Sequence, residues 1–284
     1  MRAFRASKGV VLSFTLAALA CGGAPEGATS ERSSPLLRSP AYLSLGDSVP
    51  FGYDPTRLPP LAAPPKTSNV FVGYPTYLDA AINDVLTNPT CPGETSASFM
   101  IAGALDRGCQ AFKTDFDLLH VSYAGTQQDF ALAFLASHPE TKLITLTIGA
   151  NDALLVAQSC ADPACIVNGL EPTVRNVAAI LTTLRHASPG AQIILTLYYA
   201  PSLDPGILFL TDALNSALSQ AVTRAGAGVV TVNLKAAFDA ADASFGGDPC
   251  KAGLLVRFPD GTCDIHPSQT GQKLIARTIR PMVL

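Results

Sequence analysis

Apolar strands alternating with amphipathic helices predict an α/β fold, a three-layer α/β/α sandwich built on a five-stranded parallel sheet. Three observations carry this. Lys142–Ile148 (KLITLTI) and Gln192–Leu197 (QIILTL) are almost continuously apolar and β-branched, as strands covered on both faces must be. Residues 173–186 repeat apolar side chains at helical spacing: Val174, Val177, Ile180, Leu181 and Leu184. Hydrophobic residues make up 48% of the chain and charged ones 14%, enough apolar material for one large core.

The elements follow in order. Residues 41–45 (AYLSL) read as the first strand, running into a Gly-Asp turn. A proline-rich loop spans 49–69, and a helical pattern covers 74–86. Residues 87–117 read as an irregular, cysteine-bearing insertion. Residues 118–123 (LLHVSY) are expected to be the second strand, ending at Ala124-Gly125, with a helix over 127–137. The strand at 142–148 ends at Gly149. The helix at 173–186, the strand at 192–197, a helix over 211–225, a fifth strand at 229–232 and a last helix over 268–279 complete the pattern. There is no internal repeat and no sign of a second domain. Gly226-Ala227-Gly228 lacks the third glycine of a dinucleotide loop and opens a strand rather than a helix, so it carries no nucleotide reading.

The first 40 residues have a different character. A basic start (Arg2, Arg5, Lys8), an apolar run from Val10 to Ala20 and a small-x-small end at Ala18-Leu19-Ala20 predict a signal peptide over 1–20. The run falls short of the ~20 residues that span a bilayer. Residues 21–40, rich in Gly, Ser and Pro, read as a flexible tether before a domain over 41–284. Leu19-Ala20-Cys21 resembles a bacterial lipobox, which makes Cys21 a lipidation candidate. The expected location is outside the cytoplasm, either secreted or anchored to the cell envelope as a lipoprotein.

Six further cysteines remain, an even number that suits an oxidising compartment. They fall into three local couples, Cys91 with Cys109, Cys160 with Cys165 and Cys250 with Cys263, each in a turn-rich stretch. Zinc would want paired Cys-x2-Cys knuckles or clustered His and Cys, and no histidine lies near Cys160 or Cys165. Loss of the three leader cations leaves 16 basic against 22 acidic residues, so the formal charge moves from -3 to -6. No basic stripe remains to follow a phosphate backbone, and nucleic acid is excluded as a partner.

The residues that carry chemistry stand at strand ends. They are Gly46-Asp47-Ser48, Tyr123-Ala124-Gly125 and Gly149-Ala150-Asn151-Asp152, with Asp264-Ile265-His266-Pro267 ahead of the last helix. A serine hydroxyl needs a neighbouring base to become a nucleophile, and histidine titrates near neutrality. Pro267 favours an extended conformation at His266, which suits a loop residue reaching into a cleft. No Gly-x-Ser-x-Gly elbow and no His-Glu-x-x-His are present.

In this order the four segments resemble the four blocks of the SGNH (GDSL-type) serine hydrolases, from Ala41 to the C-terminus. The resemblance implies a flavodoxin-like strand order 2-1-3-4-5, with Ser48 as nucleophile, His266 as base and Asp264 as its acid. It also implies an oxyanion hole made from the Ser48 N–H, the Gly125 N–H and the Asn151 amide, and no cofactor or metal. The family more often spaces the acid Asp-x-x-His, so a backbone carbonyl or Asp260 stays open as the partner of His266. Where the family often has an asparagine before the glycine, this chain has His120. Asp47 and Asp152 read as structural, and His120, His138 and His186 as ordinary histidines.

The implied reaction is hydrolysis of a carboxylic ester, lipid-like or with a short or medium acyl chain, through an acyl-enzyme. Phe51, Tyr53, Leu58, Leu61 and Phe71 are expected to wall the acyl pocket. Three alternatives share the site or the fold: a carbohydrate O-deacetylase, a thioesterase or acyltransferase, and a surface lipoprotein that binds without turnover.

Overall fold

The computed structural model describes residues 39–58, 67–226 and 228–284. The expected signal peptide, the Cys21 anchor and all but the end of the tether lie outside these residues.

Five parallel strands, β1 (Ala41–Gly46), β2 (Val85–Thr87), β3 (Thr141–Thr147), β4 (Gln192–Leu197) and β5 (Val229–Asn233), form one sheet in the order β2-β1-β3-β4-β5. The architecture and the strand order are those expected. The principal helices are α1 (Ser48–Phe51), α2 (Tyr74–Ile82), α3 (Cys109–Thr114), α4 (Gln127–Ser137), α5 (Ala150–Ser159), α6 (Pro163–Gly169), α7 (Glu171–Ala187), α8 (Pro205–Ala225), α9 (Leu234–Asp242) and α10 (Gln269–Ile279). α7 packs between α4 and α8, and α10 packs between α2 and α9, which gives two helical layers around the sheet. A separate antiparallel hairpin, β6 (Leu255–Arg257) with β7 (Cys263–Pro267), precedes α10. Among the described residues no helix is long and apolar enough to cross a membrane.

The helical spacing in 173–186 has its expected consequence. Val174, Val177, Ile180, Leu181 and Leu184 are all buried on one face of α7, each burial contributing about 1.5–3 kcal/mol. α8 starts earlier than the periodicity indicated, because Asp204 caps it through the N–H groups of Gly206 and Ile207 and Pro205 fills its first position.

The second strand is a correction. Residues 118–123 form no strand. Asp117 turns the chain at φ 47°, and Leu118 and Leu119 pack instead into an apolar cluster with Phe51, Phe71 and Phe112. The real β2 lies within the segment read as the end of a helix. Asn83, at φ 63°, stops α2 in a left-handed cap, and Val85–Thr87 then pairs with Ala41–Leu43. A three-residue edge strand with Val85 largely exposed has too little alternation to register as a pattern.

The three cysteine couples are disulfides: Cys91–Cys109, Cys160–Cys165 and Cys250–Cys263. The first closes the loop that follows β2, with an 18-residue separation, and both its cysteines are buried. Replacing Cys91 and Cys109 together by alanine is expected to lower unfolding free energy by about 2–4 kcal/mol, chiefly by freeing the unfolded chain. Urea denaturation of the double variant beside wild type measures it.

Candidate active site

Ser48 opens α1 directly after β1, with Asp47 as the helix cap. The turn depends on Gly46, whose φ is +128°; a Cβ there would stand 1.9 Å from the Thr147 carbonyl oxygen. Asp47 is fully buried, accepting from the Val49 N–H at 2.9 Å and from the Tyr198 hydroxyl. Burial pushes its carboxyl up to about 6, against those two hydrogen bonds. Asp47 therefore shapes the turn that carries Ser48. Asp152 accepts from the Ser96 N–H at 2.8 Å and the Ser96 hydroxyl at 2.5 Å, which ties α5 to the loop after β2.

His266 Nε2 stands 2.8 Å from Ser48 Oγ, although 218 positions separate the two in sequence. Its Nδ1 is hydrogen-bonded to Asp264 Oδ1, which also accepts the His266 backbone N–H at 3.0 Å. The short Asp-x-His spacing works because β7 is extended: side chains at i and i+2 share one face of a strand, so the carboxylate lies beside its own second neighbour. Burial alone would raise the Asp264 carboxyl, but the hydrogen bonds and charge of His266 outweigh it and hold it below the usual range. Asp260 is engaged elsewhere, capping the N–H and hydroxyl of Thr262. The Tyr199 hydroxyl holds the Ile265 carbonyl at 2.7 Å, the Tyr53 ring meets the imidazole edge-on at 4.7 Å, and the Cys250–Cys263 bond pins the start of β7.

Asn151, nearly buried in the first turn of α5, donates one amide hydrogen to the Glu94 carbonyl at 2.9 Å. Gly125 is a second correction. Because residues 118–123 are not a strand of the sheet, Gly125 does not sit at a sheet end. It is exposed beside the cap of α4, its carbonyl accepts from Lys113 Nζ, and it does not line the cleft. The glycine that does line the cleft is Gly93, in the loop after the true β2. Its φ is +87°, and a Cβ would fall 2.4 Å from the Arg107 carbonyl oxygen, so only glycine fits. The buried asparagine ahead of this glycine is Asn88, whose amide donates to the Pro50 carbonyl; His120 instead bonds the Phe51 carbonyl. The sequence signal for this segment was Cys91-Pro92-Gly93 following a β-prone triplet, masked by reading 87–117 as an insertion.

Behind Gly93 lies Glu94, buried and bonded by the Ser98 hydroxyl at 2.5 Å and Gln127 Nε2 at 3.0 Å. Gln127 in turn grips both the N–H and the carbonyl of Gly46, at 2.6 and 3.0 Å. The pair thus braces the Gly46–Ser48 turn against the Gly93 loop. Cys91, Cys109 and Glu94 converge closely enough to suggest a metal site, but the two sulfurs are bonded to each other and offer no thiolate. Burial pushes Glu94 up to about 7, against hydrogen bonds from Ser98 and Gln127 and the charge of Lys113. A raised carboxyl favours the fold most below its unfolded value, and that stability is lost as pH rises through about 7. Glu94→Gln, which does not titrate, is therefore expected to gain on wild type by up to about 3 kcal/mol between pH 4.5 and 8, read by urea denaturation at the two pH values.

These residues border a cleft of about 460 Å³. Its apolar wall comes from α5 and α8 (Ala150, Leu154, Ile207, Leu210, Leu214), together with Tyr199. The wall expected from the 49–69 loop is present only in part, through Tyr53 together with Val49 and Pro55. Phe51 and Phe71 are consumed in their own buried cluster, and Leu58 packs at its margin. Leu61 lies outside the described residues.

A family model, the GDSL-like lipase/acylhydrolase family, matches residues 44–274. No curated protein matches the chain. Among solved structures the chain is similar to phospholipase A1 from Streptomyces albidoflavus, at 19% identity and a TM-score of 0.51 over 86% of this chain and 97% of that one. It is similar also to a lipase from a goat rumen metagenome, at 15% identity and 0.52 over 86% and 97%. An acetyl xylan esterase variant from Geobacillus stearothermophilus matches at 15% identity and 0.50 over 87% and 95%. At these identities the structures speak for the fold, and the matched family model spans most of the sequence. The chain belongs to the GDSL-like lipase/acylhydrolase family.

Proposed function

We propose that this protein is a serine hydrolase that cleaves carboxylic esters through an acyl-enzyme. The single observation that carries the reading is the relay from Ser48 Oγ to His266 Nε2 at 2.8 Å, with Asp264 on the far nitrogen. Ser48 attacks the ester carbonyl while His266 takes its proton; Asp264 holds the productive tautomer and stabilises the imidazolium. The N–H groups of Ser48 and Gly93 and the second amide hydrogen of Asn151 stabilise the oxyanion; the Gly93 N–H donates to no described residue. His266 then protonates the departing alcohol, and a water deprotonated by His266 releases the acid.

The apolar limb between α5 and α8 favours an acyl chain longer than acetyl, and so favours an esterase or lipase over a carbohydrate deacetylase. Three disulfides support export to an oxidising compartment. Labelling with a fluorophosphonate, mapping of the modified peptide and rates on p-nitrophenyl esters from acetyl to palmitoyl test the proposal. Labelling at Ser48 with a rate maximum at medium or long chains is the expected result. No labelling would favour a binding module, and an acetyl-only profile would favour the deacetylase.

A further inference from the structure

The cleft crosses the carboxyl ends of the strands, so the sheet order places its lining in sequence. Gly93 and Arg107 belong to the segment after the edge strand β2, Ser48 follows β1, Asn151 follows β3, and the apolar wall of α8 follows β4. Ser48 thus stands between an apolar limb on one side and Arg107 on the other. Among the described lining residues Arg107 is the one arginine or lysine, and the one acid, Asp264, is committed to His266.

The Arg107 guanidinium has no hydrogen-bond or ion-pair partner among the described residues. Its neighbour Asp106 is spent on the N–H groups of Gly108 and Gln110. The Arg107 backbone is fixed all the same. Its N–H donates to the Gly93 carbonyl at 2.8 Å, and the Cys91–Cys109 disulfide closes the loop around both residues. An unpaired guanidinium rooted beside a cleft is a planar, permanently charged fork that matches phosphate or carboxylate, and an anion arriving there displaces water rather than a resident carboxylate.

We infer that Arg107 forms a subsite for an anionic group, phosphate or carboxylate, carried on the alcohol half of the ester. This rests on the ester-hydrolase reading and deepens it. The acyl chain occupies the α5–α8 limb, the carbonyl lies over Ser48, and the alcohol leaves toward the β2 side, where Arg107 waits. The substrate is then an anionic amphiphile rather than a neutral glyceride or a wax.

The test compares three esters with one acyl chain: 1-octanoylglycerol, 1-octanoylglycerol 3-phosphate and octanoylglycolate. At low ionic strength wild type is expected to prefer an anionic ester about fivefold to tenfold in kcat/KM, through KM, and to lose the preference in high salt, as a partly exposed ion pair does. The anionic-to-neutral ratio should fall to about one in Arg107→Ala, fall below one in Arg107→Glu and survive in part in Arg107→Lys. Whichever anionic ester gains more identifies phosphate or carboxylate as the group bound. A wild-type ratio of one or less overturns the subsite, as does a ratio unchanged in the alanine and glutamate variants. In either case, turnover of the neutral ester that disappears in Ser48→Ala leaves the hydrolase reading standing. No turnover of any of the three by wild type would sink both.

Discussion

Replacing Ser48 by alanine is expected to lower kcat for any ester by on the order of 10⁴-fold or more, with loss of fluorophosphonate labelling and no loss of fold. The hydroxyl contributes little to packing, and the turn that presents it is set by Gly46 and Asp47. His266→Ala should cost a comparable factor. The double variant should be little worse than either single one, because nucleophile and base act as a unit. Asp264→Asn should cost up to about 10⁴-fold, since an amide on Nδ1 favours the tautomer that cannot accept the serine proton. Initial rates of the purified variants on one activated ester, beside thermal unfolding, separate lost chemistry from lost structure. A Ser48→Ala protein with wild-type turnover would remove the proposed mechanism.

Asn151→Ala is expected to lower kcat by about 10²–10³-fold while KM changes little, because the oxyanion exists only after attack. Gly93→Ala should lose at least as much. The added Cβ meets the Arg107 carbonyl at 2.4 Å, and the positive φ strains any side chain, so the N–H is displaced from the cleft. Gly125→Ala is the discriminating partner. Gly125 also has a positive φ, but its Cβ would face only the Asp129 side chain, outside the cleft. It is expected to lose about 1 kcal/mol of stability and to keep kcat within a factor of two. The opposite ranking, with Gly125→Ala inactive and Gly93→Ala active, would return the oxyanion role to the position expected from the sequence. Steady-state kinetics of the three variants under one condition decide it.

The legible part of the site was the part with local signatures. Gly46-Asp47-Ser48 and Gly149-Ala150-Asn151 stand at the ends of strands buried at every position but Lys142, and such strands announce themselves through apolar runs that end in glycine. Asp264-Ile265-His266 was legible because Pro267 and a capped helix follow it, and its unusual spacing is explained by the extended backbone of β7. Gly93 was missed because its strand has three residues at the sheet edge, too few for a pattern. The apolar LLHVSY segment nearby is an effective decoy whose leucines are needed by a second core cluster instead. The Glu94–Gln127 brace had no sequence signal, since it joins residues 33 positions apart through buried side chains.

The amino-acid sequence by itself determined the alternation of strands and helices, the strand order implied by the family blocks, the three cysteine couples and the Ser48, Asn151 and His266 positions. Each is written in short-range periodicity or in motifs a few residues long. The tertiary structure alone decided which glycine faces the cleft, which helices wall its apolar side and where Arg107 stands relative to Ser48. Those properties depend on which segments become neighbours across the sheet edge. That choice is made by burial of the whole core, and no local window contains it.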